Sequence, residues 1–396
     1  MEGFTNKEIN FDLLKKRAFN MRWAMVDDGV IPLTAADHDF PVAPEIVKSL
    51  IDYISDGYFP YIPNRGTEEF KHAIADFTKR RKNEDLNPDW ILPIDSAASG
   101  MMTIARAFVK PGDECIVFDP VDFLFRTSMG NAGGEIKLFP TQMTEDGISL
   151  KGLEDYITPK TKMIGFCNPH NPMGMLYKKE ELEYLLDLSE KYGFYIMNDE
   201  IWSDMVYPGN EFLSLNSFGP ERNKRTLTVY GLSKSFGLAG LRIGAVWAMN
   251  QENYDKLVDA SYVDSTIGGI NLLSQVAGTV ALNQCEYRLD QFIENVTENR
   301  NYVLSRIEKM PGIKCHTPQA TFVLFPDITE TGMDPVDFVD LLRDKYKLYI
   351  VPGGARFFGP GSEGHVRICL ATSIEIIEEA MNRLEQCMND IMSAKQ

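Results

Sequence analysis

Lys234 is the residue in this chain whose surroundings most clearly imply chemistry. It lies in Gly231-Leu-Ser-Lys-Ser-Phe-Gly-Leu-Ala-Gly-Leu-Arg-Ile-Gly244. A lysine amine can form a Schiff base with an aldehyde. Arg242, eight residues on, offers a planar fork of donors that suits a phosphate. The glycines between them let the backbone pass close to a ligand. A lysine and an arginine in one Gly/Ser-rich turn therefore suit a phosphorylated aldehyde.

Other residues of ligand type follow short apolar runs. Cys115–Pro120, Met163–Pro169, Phe194–Glu200, Thr226–Tyr230 and Gly244–Ala248 read as buried strands. Between two of them Leu182, Leu185, Leu186 and Leu188 recur at helical spacing over Glu180–Tyr192. This alternation predicts an α/β fold, with a mostly parallel sheet flanked by helices. Ligands in such sheets gather beyond the carboxyl ends of the strands. Asn168-Pro-His-Asn-Pro172 follows one strand, Asp199-Glu200 ends another, and Lys234 follows a third. The C-terminal part changes character. It predicts a long polar helix near Glu286–Met310, strands near Thr321–Phe325 and His365–Leu370, and a helix over Ile374–Met392. That pattern suits a small α+β domain.

The 396 residues are 44% hydrophobic and 24% charged, enough for two domains and a sizeable core. A formal net charge of −17 argues against non-specific binding to nucleic acid or anionic membranes. Six scattered cysteines show no metal-ligand spacing and no disulfide framework, so no metal is expected. No apolar stretch is long enough to span a membrane, and the first residues lack a signal core. A reducing cytoplasm fits these features. No glycine-rich nucleotide fingerprint or P-loop follows the first strand.

These motifs, taken in order over residues 30–390, resemble the class I/II aminotransferases of the fold-type-I pyridoxal-phosphate enzymes. The resemblance implies the aspartate aminotransferase fold. It implies an N-terminal arm (1–44) packing with a small C-terminal domain (286–396), and a large cofactor-binding domain (45–285). It implies pyridoxal 5'-phosphate held on Lys234, which would also move the Cα proton as general base. Asp199 matches the acid beneath the pyridine nitrogen, and Asn171 the asparagine at the ring hydroxyl. Arg242, Ser233 and the cup Ser96-Ala97-Ala98 match phosphate and cofactor contacts. Tyr61 matches a tyrosine that reaches the phosphate of a neighbouring subunit, which implies a homodimer with shared active sites. Arg367, within His-Val-Arg-Ile-Cys-Leu, matches the arginine that holds the substrate α-carboxylate.

The chain departs from that pattern at several positions. Asp122 stands where many relatives stack a tyrosine on the cofactor ring, and Phe123 is expected to take over the stacking. Trp202 replaces a common tyrosine; its indole can donate a hydrogen bond but cannot accept or titrate. Met173 replaces the usual threonine of the asparagine loop. The segment Leu33-Thr-Ala-Ala-Asp-His-Asp-Phe40 resembles the cystathionine β-lyase-like C–S lyases, and it puts Asp37 and His38 forward as substrate contacts. Arg242 favours an aminotransferase, with the lyase as the alternative. Arg356 either reads a distal substrate carboxylate or points to solvent; Arg65 and Arg126 are further candidates. Tyr58 and Phe59 are expected to line the partner's pocket.

Overall fold

The fold was analysed in a computed structural model, which describes residues 3–265 and 269–395. Its centre is a sheet of β1 (Ile91–Ile94), β2 (Glu114–Asp119), β3 (Glu135–Pro140), β4 (Thr161–Cys167), β5 (Tyr195–Asp199), β6 (Thr226–Gly231) and β7 (Gly244–Ala248). The spatial order is β1-β7-β6-β5-β4-β2-β3. β7 runs antiparallel to both of its neighbours, and the other pairings are parallel. The five apolar runs singled out in the sequence form β2 and β4 to β7. The two strands not anticipated, β1 and β3, lie at the sheet edges. β1 contains Pro93, and β3 is exposed at Glu135 and Pro140. Such residues are tolerated where one side of the strand needs no partner, and they hide the strand from a hydrophobicity reading.

The strands bury alternate residues on opposite faces. Val229 and Val246 join a core with Leu182, Leu185 and Leu186, which belong to the helix Lys179–Tyr192. Tyr230, Ala245 and Trp247 join the opposite core. That second core runs on into the C-terminal part, through Phe338, Leu342, Ile368 and Met381. There the long helix Glu286–Ile307 stops before the position expected. Pro311 follows closely and disfavours helical geometry in the residue before it. The C-terminal strands β8 (Val323–Leu324), β9 (Val351–Pro352) and β10 (Val366–Cys369) pair antiparallel in the order β8-β10-β9. The final helix spans Ile374–Ala394. Among the described residues no helix is long and apolar enough to cross a membrane.

The N-terminal segment crosses to the C-terminal part, where Ile31–Pro32 pair in parallel with Leu348–Tyr349. A buried ion pair fixes the residues that follow. Arg22 Nη2 lies 3.1 Å from Asp39 Oδ2, and both side chains are fully buried. Arg22 also donates to the carbonyls of Pro32 at 3.0 Å and Asp37 at 2.8 Å. Trp23 Nε1 donates to Asp39 Oδ1 at 2.8 Å. Every group in this knot therefore spans the segment 32–39. Removing one member leaves the other charge buried and alone. Arg22→Ala is expected to cost about 3–5 kcal/mol of stability in chemical denaturation. A loss below about 1 kcal/mol, the level of an exposed pair, would show that the knot is not a structural anchor.

Candidate active site

A cleft of about 300 Å³ opens beyond the carboxyl ends of the parallel strands. Asp122 enters it after β2, Asn171 after β4, Asp199 at the end of β5, and Ser233 and Lys234 after β6. Arg242 enters just before β7, which runs the other way and so begins at the same edge. Arg367 comes from β10 and Ala36 from the N-terminal segment. Ser96, Ala97 and Ala98 line the cleft where the helix Ala97–Phe108 begins. Ser96 caps this helix by accepting from Ser99 N–H at 3.1 Å, leaving the N–H groups of the first turn at the cleft edge.

Lys234 sits in the four-residue helix Ser233–Phe236, which stops at Gly237 with φ +70°. Its Nζ donates to the carbonyl of Ala36 at 2.6 Å and lies 5.3 Å from the centre of the Trp202 ring. Burial pushes the amine below its ordinary pKa, and the nearby Arg367 charge acts in the same direction. A lowered pKa keeps more of the amine in its nucleophilic form. Asp199 Oδ1 accepts from Ile201 N–H at 3.0 Å. Burial pushes its carboxyl up to about 7, with Asp122 and Glu200 adding to the rise. A carboxyl in this position would recover its charge beside a cationic ring nitrogen.

Asn171 links two other groups. Its Nδ2 donates to Asp122 Oδ2 at 3.1 Å, and its Oδ1 accepts from Arg367 Nη1 at 3.3 Å. Arg367 also donates to the Thr34 carbonyl at 3.3 Å, while its Nε is buried with no partner. A buried guanidinium with long contacts and an orphaned donor is suited to receive a carboxylate. Arg242 has φ +53°, a left-handed backbone uncommon for a residue with a side chain. Strain of this kind concentrates at ligand sites.

Four of the expected contacts, Phe123, Arg356, Asp37 and His38, lie outside the cleft. Phe123 is not among the residues that line the cleft, where Asp122 stands instead; it is 41% exposed. Asp122 Oδ1 accepts from Leu124 N–H at 3.0 Å, starting a helix that turns Asp122 inward and Phe123 outward. Arg356 is exposed, its guanidinium 5.1 Å from the Phe357 ring, so the solvent-facing alternative holds. Asp37 and His38 do not line the cleft either; the backbone of Ala36 takes that place. His38 stacks on Phe292 at 3.9 Å and bonds the Lys234 carbonyl at 2.7 Å, so it buttresses the lysine from behind. Tyr61, expected at a neighbouring subunit's site, is fully exposed and lies outside this chain's own cleft. Of the further arginines, Arg65 pairs with Asp264 and Arg126 donates to the Ala355 carbonyl at 2.9 Å.

The sequence reading missed the supports beneath the cleft. Glu200 Oε1 accepts from Asn198 at 2.8 Å and Ser214 at 2.6 Å. Asp204 accepts from Tyr230 at 2.7 Å and from Ser235, the neighbour of Lys234. The crowding of three acids within Asp199-Glu-Ile-Trp-Ser-Asp204 was the available signal.

The class I and II aminotransferase family profile matches residues 28–384. An aspartate aminotransferase of Thermotoga maritima is 32% identical, covering 91% of this chain and 92% of its own. An aromatic-amino-acid aminotransferase of Thermococcus litoralis is 28% identical, covering 92% of each chain. The crystal structure of cystalysin from Treponema denticola, which contains pyridoxal 5'-phosphate, superposes with a TM-score of 0.91 at 25% identity, covering 99% of this chain and 100% of the other. The fold and the lysine-bearing cleft thus define a pyridoxal-phosphate enzyme of fold type I. The chain belongs to the class I and II aminotransferase family and is a pyridoxal-phosphate-dependent aminotransferase.

The raised Asp199 pKa has a consequence for stability without cofactor. The folded carboxyl titrates near pH 7 and the unfolded one near its ordinary value. Between about pH 4 and 7 the folded state therefore binds more protons, and stability falls as pH rises. Asp199→Asn removes this term. Relative to the Asn variant, cofactor-free wild type is expected to lose on the order of a few kcal/mol across that window. Urea denaturation of both proteins at several pH values checks this; a difference constant with pH would contradict it.

Proposed function

We propose that Lys234 supplies the amine that carries the cofactor's aldehyde and, once freed by substrate, the base that moves the Cα proton. The arrangement that carries this reading is one cleft in which Lys234 faces both Asp199 and Arg367. Bound pyridoxal phosphate supplies an electron sink for the bond broken at Cα. Asp199 is assigned to the ring nitrogen, Asn171 and Trp202 to the ring substituents, and Ser233 to the cofactor beside Lys234. Arg242 and the helix start at Ser96, Ala97 and Ala98 are assigned to the phosphate, since free backbone N–H groups and a guanidinium both suit a dianion. Arg367, with its unpartnered Nε, is assigned to the α-carboxylate common to the amino acid and the 2-oxo acid.

We further propose a homodimer with shared sites. Tyr58, Phe59 and Tyr61 are 77%, 63% and 106% exposed, and they adjoin a helix, Pro44–Asp56, with exposed Val47, Ile51 and Ile54. An exposed apolar group of this size suits a partner surface. Within each subunit, residues 45–285 would hold the cofactor, and 286–396 with the arm 1–44 would bring Arg367 and the 32–39 segment over it. The scattered, unpaired cysteines favour a cytoplasmic setting.

A single-turnover absorbance experiment on the holoenzyme, without any oxo acid, tests the reaction. Stoichiometric bleaching by an L-amino acid, reversed by a 2-oxo acid, is expected. Continuous release of pyruvate and ammonia from cystathionine with no bleaching would replace transamination by β-elimination. Lys234→Ala is expected to slow the first half-reaction by about 10²–10⁴-fold or more, and to abolish borohydride fixation of the cofactor. Fixation surviving in that variant would move the attachment to another lysine.

A further inference from the structure

Asp122 has no part in the reaction as assigned, yet its carboxylate lines the cleft. Both of its oxygens accept hydrogen bonds, Oδ1 from Leu124 N–H at 3.0 Å and Oδ2 from Asn171 Nδ2 at 3.1 Å. Burial pushes this carboxyl above its ordinary pKa, while the Leu124 hydrogen bond and the Arg367, Lys234 and Arg126 charges favour the ionised form. The carboxyl is fixed in place by its two hydrogen bonds, one amide away from Arg367, whose Nη1 donates to Asn171 Oδ1.

The cations lining the cleft, among the described residues, are Lys234, Arg242 and Arg367. On the proposed reading each is committed, to the cofactor aldehyde, the phosphate and the α-carboxylate respectively. Of the other arginines considered for a second carboxylate, Arg65 pairs with Asp264, Arg126 donates to the Ala355 carbonyl and Arg356 is exposed beside Phe357, and none of the three lines this chain's cleft. Within one chain, a substrate with a distal carboxylate would therefore enter a cleft whose own cations are taken and whose added acidic group is Asp122. A like charge within a few ångströms in a partly desolvated site is worth more than the gain or loss of a methylene.

Resting on that reading, we propose that Asp122 is a specificity-determining residue, whose fixed charge makes the cleft reject dicarboxylic amino and oxo acids in favour of those with neutral or cationic side chains. A direct test compares two unreactive four-carbon ligands, succinate and butanoate, which differ by the distal carboxylate. Their affinities for the holoenzyme are measured by titration calorimetry in wild type and Asp122→Asn. Asp122→Ser serves as a second variant, because an Asn at this position can turn its Nδ2 toward the Asn171 amide. The succinate-to-butanoate affinity ratio is expected to rise about tenfold or more when the charge is removed. The ratio of single-turnover rates for L-glutamate and L-glutamine is expected to move the same way. A binding ratio unchanged in both variants, whatever the absolute affinities, would overturn the proposal and leave Asp122 as a support for Asn171. Neither ligand reacts, so the binding comparison reads charge selection independently of transamination, and the two readings fail separately.

Discussion

The parallel register of β4, β5 and β6 is the constraint on which the site depends. It sets Cys167 beside Asp199, and Asp199 beside Val229. The loops that leave these strands must therefore emerge at one edge, only a strand spacing apart. Asn171, Asp199 and Lys234 are separated by tens of residues in the chain, and they meet because their strands end at the same level. The reversed β7 keeps the rule, since its first residue rather than its last lies at that edge and brings Arg242 with it. Slipping one strand by a residue would turn its buried side chains to the wrong core as well as moving its loop. Core packing and site geometry are thus held by the same register.

Charge is costly in such a place, and the surroundings of the cleft offset that cost. Lys234 and Arg367 both donate to carbonyls of one short segment, at Ala36 and Thr34. That segment is held from behind by Arg22, Trp23 and Asp39, and its strand residues pair with the C-terminal part. The N-terminal chain therefore works as a polar roof. It satisfies donors that water would otherwise meet, and its position is set by a knot outside the cleft. Beneath, Glu200 and Asp204 draw hydrogen bonds from neighbouring strands and turns. Arg367 Nε faces the cleft without a hydrogen-bond partner, and Glu200 Oε2 and Asp204 Oδ1 likewise lack one in the supporting layer.

Departures from the family pattern carry information of their own. Where a ring was expected to stack, Asp122 turns inward because its oxygen starts a helix at Leu124, and Phe123 faces out. Trp202 keeps an aromatic wall next to the lysine, without a hydroxyl. The cleft thereby gathers Lys234, Asp199, Asn171 and Arg367 beside an added carboxyl at Asp122.

Much of this was written in the linear sequence. Buried central strands are continuous apolar runs, so β2 and β4 to β7 were legible, and with them the residues at their ends. Lys234, Asp199, Asn171 and Arg367 stood out as charged or amide side chains beside apolar runs, and the roles expected of them and of Arg242 came from the family resemblance. Edge strands were not legible, since Pro93 and Glu135 are allowed only because one side of each strand lacks a neighbour. Side-chain direction was also hidden. Phe123 and Asp122 are adjacent in the chain, and only the helix start decides which one faces the cleft. His38 looked like a substrate contact by position, but packing against Phe292 placed it behind the lysine. Arg356 was placed at the surface by a loop whose path depends on distant partners. Composition and local pattern determined the layers of the fold and the residue types at the strand ends. The tertiary structure alone decided which of those side chains share a cleft, because that depends on register, rotation and the desolvation that each neighbour imposes on the next.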